Sequence, residues 1–202
     1  MLSVNEPGSE VWLSPARNPD RKLKFTWEMI RIGRSLVGIN TQHPNTLLAE
    51  AIECSKVPEL KGYGDLRREV KYGKNSRIDI LLEDPKKGLF YIEVKNVTML
   101  SCFDRDRADF PDSVTERGRK HLEVLTRLSE SGKRAILFLL LGRTDCNKVG
   151  FAQEIDPVYC EALRVAVAAG VEVISHRVRV RSGNLTLGES VPIKLPGRVE
   201  TS

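Results

Sequence analysis

The sequence predicts an α/β protein built on a mixed sheet, and three observations carry that prediction. Leu66 to Tyr72, Arg77 to Leu82 and Leu89 to Val97 read as a strand meander bounded by turn-forming residues. Ala135 to Leu141 is apolar throughout, which suits a strand covered on both faces. Helical spacing at Ser113 to Glu130 and at Pro157 to Ala169, each between two strands, is the pattern of crossovers that pack helices on a sheet.

Taken in order, the chain begins with short strands at Val11 to Leu13, Lys24 to Ile32 and Leu36 to Ile39, separated by the turn-forming stretches Pro15 to Asp20 and Gly33-Arg34. Trp12, Trp27 and Phe25 could stack bases there, but a small β region more often uses such rings as core, and they are assigned to it. Asn45 to Glu53 sets Leu47, Leu48, Ala51 and Ile52 on one helix face. Ser113, followed three residues later by Glu116, has the spacing at which two side chains satisfy each other's free amides, so the second helix is expected to start there and to end at Gly132. Strands follow at Arg134 to Leu141 and Val171 to Val178. Beyond them Gly183, Gly188, Pro192, Pro196 and Gly197 break the pattern, and the last residues are expected to fray. His43 and His176 are isolated and read as structural.

Composition narrows the function classes. With 41% hydrophobic and 29% charged residues among 202, the chain can bury a core without disulfides and is not of disordered type. Cys54, Cys102, Cys146 and Cys160 lie far apart with no CxxC pair, so reduced, mostly packing thiols are expected rather than a zinc site. No apolar run approaches a membrane span and Met1 to Trp12 lacks a signal-peptide pattern, so the expected location is the cytoplasm. A net charge of +5 favours an anionic partner, weakly on its own.

The chemistry-bearing residues are Asp79, Glu93 and Lys95. Side chains two apart on a strand point the same way, so Glu93 and Lys95 present an acid and a base on one face. The turn around Asp84 to Gly88 makes the two strands antiparallel neighbours and can bring Asp79 close to Glu93. Two such carboxylates repel unless a cation lies between them, and Mg2+ (or Mn2+) is the natural candidate. A lysine beside it could orient or deprotonate an attacking water, or stabilise charge on a phosphate. A Glu-x-Lys pair alone is more often a surface ion pair; the apolar residues around these acids shift the balance, because charge is expensive in covered strands.

Asp79 and Glu93-x-Lys95, preceded by a helix bearing Glu50 and followed by the helix from Ser113, resemble the core of the PD-(D/E)xK restriction-endonuclease-like superfamily. Gly62-Tyr63, Glu69-Val70-Lys71-Tyr72-Gly73, Ser76-Arg77-Ile78-Asp79, Tyr91-Ile92-Glu93-Val94-Lys95 and Phe110-Pro111-Asp112-x-Val114-Thr115-Glu116-Arg117-Gly118-x-Lys120-His121-Leu122 resemble, more closely, the sugar fermentation stimulation protein A (SfsA) family. That resemblance implies an N-terminal OB-like β domain over residues 1–41, a nuclease-like domain over 42–202, DNA binding, and a link to sugar-use genes. The family usually has further strands before Pro7-Gly8-Ser9-x-Val11-Trp12, including a Cys-Pro-Asn-Thr-Gly motif, so the expectation is either a start codon set too late or a truncated β domain.

By position the resemblance makes Asp79 and Glu93 metal ligands and Lys95 the catalytic lysine, with Glu50 preferred over Glu53 as the helix acid and Glu69 as a secondary candidate. Arg117, Lys120 and His121, in the first turns of a helix whose start offers free amides, are expected to contact phosphate, together with Arg77. DNA, single- or double-stranded, is the expected partner; no membrane is, and a homodimer is left open. The expected activity is Mg-dependent phosphodiester cleavage on a DNA-binding protein, the alternative being a non-cleaving DNA-binding regulator of sugar-metabolism genes on a nuclease fold.

Overall fold

A computed structural model describes residues 4–16, 18, 20–72, 76–181 and 184–197; Arg17 and Pro19 of the expected turn, Gly73, Gly183 and residues 198–202 lie outside them. The first three strands, β1 (Val11–Pro15), β2 (Phe25–Ile32) and β3 (Ser35–Gly38), pair antiparallel in that order. Val4, Ile30, Val37 and Ile39 form their small core, with Trp27 and Ile32 against it. Trp12 is half-buried under the Arg31 guanidinium, and Phe25 is 57% exposed. The assignment of all three rings to the core is therefore corrected: this core is too small to reach the sheet's end, where Phe25 lies opposite Pro15.

α1 (His43–Glu53) and a 3-10 turn at Pro58–Leu60 lead into a meander of β4 (Asp65–Tyr72), β5 (Ser76–Asp84) and β6 (Gly88–Val97). Then come β7 (Met99–Leu100), β8 (Arg107–Phe110), α2 (Glu116–Glu130), β9 (Arg134–Leu141), β10 (Lys148–Phe151), α3 (Pro157–Ala168), β11 (Glu172–Arg181) and β12 (Asn184–Ser190). The main sheet has six strands in the order β12-β11-β9-β6-β5-β4, antiparallel through the meander, parallel from β6 to β9 to β11, and antiparallel again at β12. The predicted mixed sheet is therefore present.

β9 lies in the middle of that sheet and every residue from Ala135 to Leu141 is buried, as its unbroken apolar run requires. Leu137, Leu139 and Leu141 join Leu122, Leu125 and Leu128 of α2 and Tyr159 and Leu163 of α3 on one face. Ile136, Phe138 and Leu140 join Leu48 and Ala51 of α1 on the other. Each such leucine contributes about 1.5–3 kcal/mol through removal from water.

Two expectations fail at element ends. α2 starts at Glu116 and not at Ser113: Thr115 is the cap, its hydroxyl accepting from the Gly118 amide at 3.0 Å. The amide of Thr115 is satisfied by Asp156 Oδ2 at 2.8 Å, so a residue 41 positions away takes the part expected of Glu116. Gly118 is needed there, because a Cβ would meet Thr115 Cγ2 at 2.8 Å and Tyr159 Cε2 at 3.1 Å. Near the C-terminus the expected irregular stretch contains β12, which forms a hairpin with β11 and covers that sheet edge.

The small sheet is fastened to the main one beside β6. Gly38 donates to Gly142 O at 2.8 Å, Asn96 Nδ2 donates to Gly38 O at 3.1 Å, and Leu36 and Thr144 exchange bonds. A Cβ on Gly142 would lie 2.4 Å from Asn96 Oδ1, which explains a glycine at the joint.

Candidate active site

The β4–β5 ladder pairs residues from Asp65 with Glu83 to Tyr72 with Ser76, yet has no pair at Glu69 and Asp79, and Glu69 has φ +53°. A non-glycine residue in that region is strained by about 1–3 kcal/mol. The regular two-residue alternation of β4 is thus interrupted at Glu69. β5 pairs with β6 only as far as Ile80 opposite Ile92. Asp79 therefore stands where β5 leaves its neighbour, and its side chain takes over the pairing: the Val94 amide donates to Asp79 Oδ2 at 2.8 Å.

Around this break lies a cleft of about 470 Å³, walled by Gly38, Ile39 and Thr41 from the joint, Asn45 from α1, Glu69, Asp79, Glu93 and Lys95 from the sheet, and Arg117 and His121 from α2. Asn45 Nδ2 donates to Asp79 Oδ1 at 3.0 Å and to Glu69 Oε1 at 3.3 Å. Glu93 is 2% exposed, and its Oε1 receives both Lys95 Nζ at 2.6 Å and His121 Nδ1. Asp109 also lines the cleft, but a bidentate pair with buried Arg107, at 2.6 and 2.9 Å, neutralises it.

The two central carboxylates are driven in opposite directions. Burial and the nearby negative charge of Glu93 raise the Asp79 pKa, outweighing the Val94 amide, Lys95 and Asn45. Burial would also raise Glu93, but the His121 hydrogen bond and the charge of Lys95 outweigh it and hold that group below its ordinary range. Asp79 is thus the uncompensated acid of the pair.

The structure brings together Asp79, Glu93, Lys95, Arg117, His121 and the secondary candidate Glu69. Glu50 is not among them: it is exposed, about 140° round the helix from Asn45 at five residues' separation. Among the described residues no group of three or more His, Cys, Asp or Glu is placed to hold a metal ion, so the expected ligand set of Glu50, Asp79 and Glu93 is not assembled. Lys120 is outside the cleft lining and pairs with Glu116 at 3.3 Å. Arg77 is exposed beyond the cleft, opposite Lys71. Asn45 has no counterpart in the sequence reading; its only signal is its place in the first turn of a helix preceding the meander.

The histidines and cysteines settle into structure. His43 Nε2 meets Glu28 Oε2 at 2.5 Å, and His176 is buried against Phe138. All four cysteines are free; Cys146 and Cys160 are buried, whereas Cys54 and Cys102 are exposed rather than packed. No helix among the described residues is long and apolar enough to cross a membrane.

The arrangement defines a mixed α/β protein with an acid–lysine cluster on the central strands, next to a small β unit. The family model described as the sugar fermentation stimulation protein RE domain matches residues 42–184, and that of the SfsA N-terminal OB domain matches residues 1–39. The chain belongs to the SfsA family. It is similar to the sugar fermentation stimulation protein homolog of Rhodospirillum rubrum, with 54% identity over 86% of this chain and 74% of the relative. The homolog of Geobacter metallireducens is 47% identical over 96% of this chain and 83% of that protein. A structure of Pyrococcus furiosus SfsA in complex with Ca2+ superimposes with a TM-score of 0.84 at 26% identity, covering 94% of this chain and 79% of that one.

Proposed function

We propose that this protein binds DNA and hydrolyses its phosphodiester bonds in the cleft, with a divalent cation, Mg2+ or Mn2+, held by Asp79 and Glu93. The observation that carries the reading is the pairing of a half-buried, uncompensated acid, Asp79, with a buried second carboxylate, Glu93, whose partners are Lys95 and His121. The donors suit the ion: all are hard oxygens, and Mg2+ is commonly held by one or two carboxylates with water and substrate phosphate completing the shell. Glu93 Oε2 has no hydrogen-bond partner among the described residues, and Asp79 keeps unused lone pairs. The Ca2+ in the structure of the P. furiosus relative supports a cation of this class.

When bound, the cation would polarise a phosphoryl oxygen and help acidify water. The chain's own groups do the rest. Lys95, tethered to Glu93, is placed to orient the attacking water or to stabilise charge on the phosphate. Arg117 lies on the cleft wall, where its guanidinium can hold a phosphate flanking the scissile one. Lys71 and Arg77 face each other across β4 and β5, both exposed and without an acidic partner among the described residues. Like charges directly opposite are unfavourable unless an anion lies over them, and each stands two residues from an acid of the cleft. They extend the site into a phosphate-binding track.

A non-cleaving DNA-binding regulator is the second reading, favoured by the sugar fermentation stimulation name of the relatives. Cleavage of single- and double-stranded DNA with Mg2+ or Mn2+, in wild type and in Asp79→Ala, Glu93→Ala and Lys95→Ala, separates the two. Metal-dependent cutting lost in all three variants supports the nuclease. DNA retained by wild type and variants alike, with no cutting, leaves the regulator.

A further inference from the structure

We infer that His121 is a positioning residue that fixes the Glu93 carboxylate, and Lys95 with it, for the cation; the inference rests on the proposed cation site. His121 and Arg117 are one turn apart on α2. Arg117 Nε donates to His121 Nε2 at 3.4 Å. A ring nitrogen that accepts carries no proton, so the network assigns the imidazole proton to Nδ1, the atom that meets Glu93 Oε1. His121 Nδ1 also lies 3.1 Å from Lys95 Nζ, so imidazole and ammonium crowd the same carboxylate oxygen.

That arrangement has a directional result. Both donors occupy Oε1, so the carboxylate cannot rotate without breaking two bonds, and Oε2 is the oxygen left for a cation. The anchor is rigid at its base as well, since the first turn of α2 is capped by Thr115 and tied through that residue's amide to Asp156. Outer partners of this kind orient metal-binding carboxylates, and their loss typically lowers metal affinity by about 10–100-fold.

The test uses side chains that reproduce one ring nitrogen each. Asn places an amide N–H where Nδ1 stands; Gln places one farther out, where Nε2 stands. Mn2+ affinity of the metal-free 202-residue protein is measured by electron paramagnetic resonance for wild type, His121→Asn, His121→Gln and His121→Ala, with circular dichroism confirming that each is folded. His121→Asn should stay within about threefold of wild type, while His121→Gln and His121→Ala lose about 10–100-fold. Equal losses in Asn and Gln variants, or wild-type affinity in all three, overturn the positioning role and leave the cation site standing. A wild type that binds no Mn2+ overturns both.

Discussion

Asn45 Nδ2 lies 3.0 Å from Asp79 Oδ1 and 3.3 Å from Glu69 Oε1, so a single amide at the start of α1 joins the helix to two carboxylates of the sheet. Asn45→Asp replaces that donor by a third negative charge. Without metal the variant should lose about 1–2 kcal/mol, the usual cost of a polar group left with the wrong partner. At this chain length that is roughly 2–8 °C in unfolding midpoint. Added Mn2+ should raise its midpoint more than it raises that of wild type, since ligand binding to the folded state stabilises it in proportion to affinity. Calorimetry with and without Mn2+ reads both effects; a metal-free midpoint at or above wild type would contradict the account.

Asp79 and Glu93 should contribute to stability with opposite signs of pH dependence. Asp79 has a raised folded pKa, so the folded state holds its proton more tightly than the unfolded chain does. Its ionisation thus costs stability as pH rises from the unfolded value, about 3.9, through the folded one. Glu93 has a lowered folded pKa, so its contribution is present above the unfolded value, about 4.3, and is lost as pH falls through the folded one. At pH 7 in chelator, Asp79→Asn should raise the unfolding midpoint. Glu93→Gln should lower it by about 3 kcal/mol equivalent, because Lys95 would be left without its buried partner. Thermal melts of the two variants decide the matter, and a shift of the same sign in both would sink it.

Asp156 is 1% exposed and caps two helices: Oδ1 accepts from the Tyr159 amide and Oδ2 from the Thr115 amide, both at 2.8 Å. Asp156→Ala should therefore cost about 2–4 kcal/mol in chemical denaturation, two caps of about 1–2 kcal/mol each. A loss below about 1 kcal/mol would mean that water replaces both bonds.

The centre of the site was legible because its signal is local. The meander, the apolar β9 and the pairing of Asp79 near Glu93-x-Lys95 all follow from period-two spacing and one short turn. What escaped is set by distant partners. β8 and β10 are four residues each and pair in parallel across 37 intervening positions, with Arg107 opposite Lys148, so neither has a periodic signature. Thr115 outranks Ser113 as a cap because Asp156 meets its amide, a contact no local spacing encodes. Asn45 is neutral and belongs to no acid–base motif, whereas Glu50, the acid that attracted the reading, is turned away on the same helix.

Lys71 and Arg77 should act on phosphate without regard to sequence. Replacing both with Ala should weaken DNA binding and reduce the magnitude of the slope of log K against log salt by roughly 1.8 for duplex, about 0.9 per lost contact. Fluorescence anisotropy over a salt series checks this; an unchanged slope would place the DNA elsewhere.

The central claim, a cation held by Asp79 and Glu93 with Lys95 acting beside it, is tested most directly by calorimetric titration of Mn2+ into wild type, Asp79→Ala, Glu93→Ala and Lys95→Met. The account predicts binding to wild type, loss of it in both carboxylate variants, and its retention in Lys95→Met, where only DNA cleavage disappears. Mn2+ bound equally well by Asp79→Ala and Glu93→Ala would contradict it.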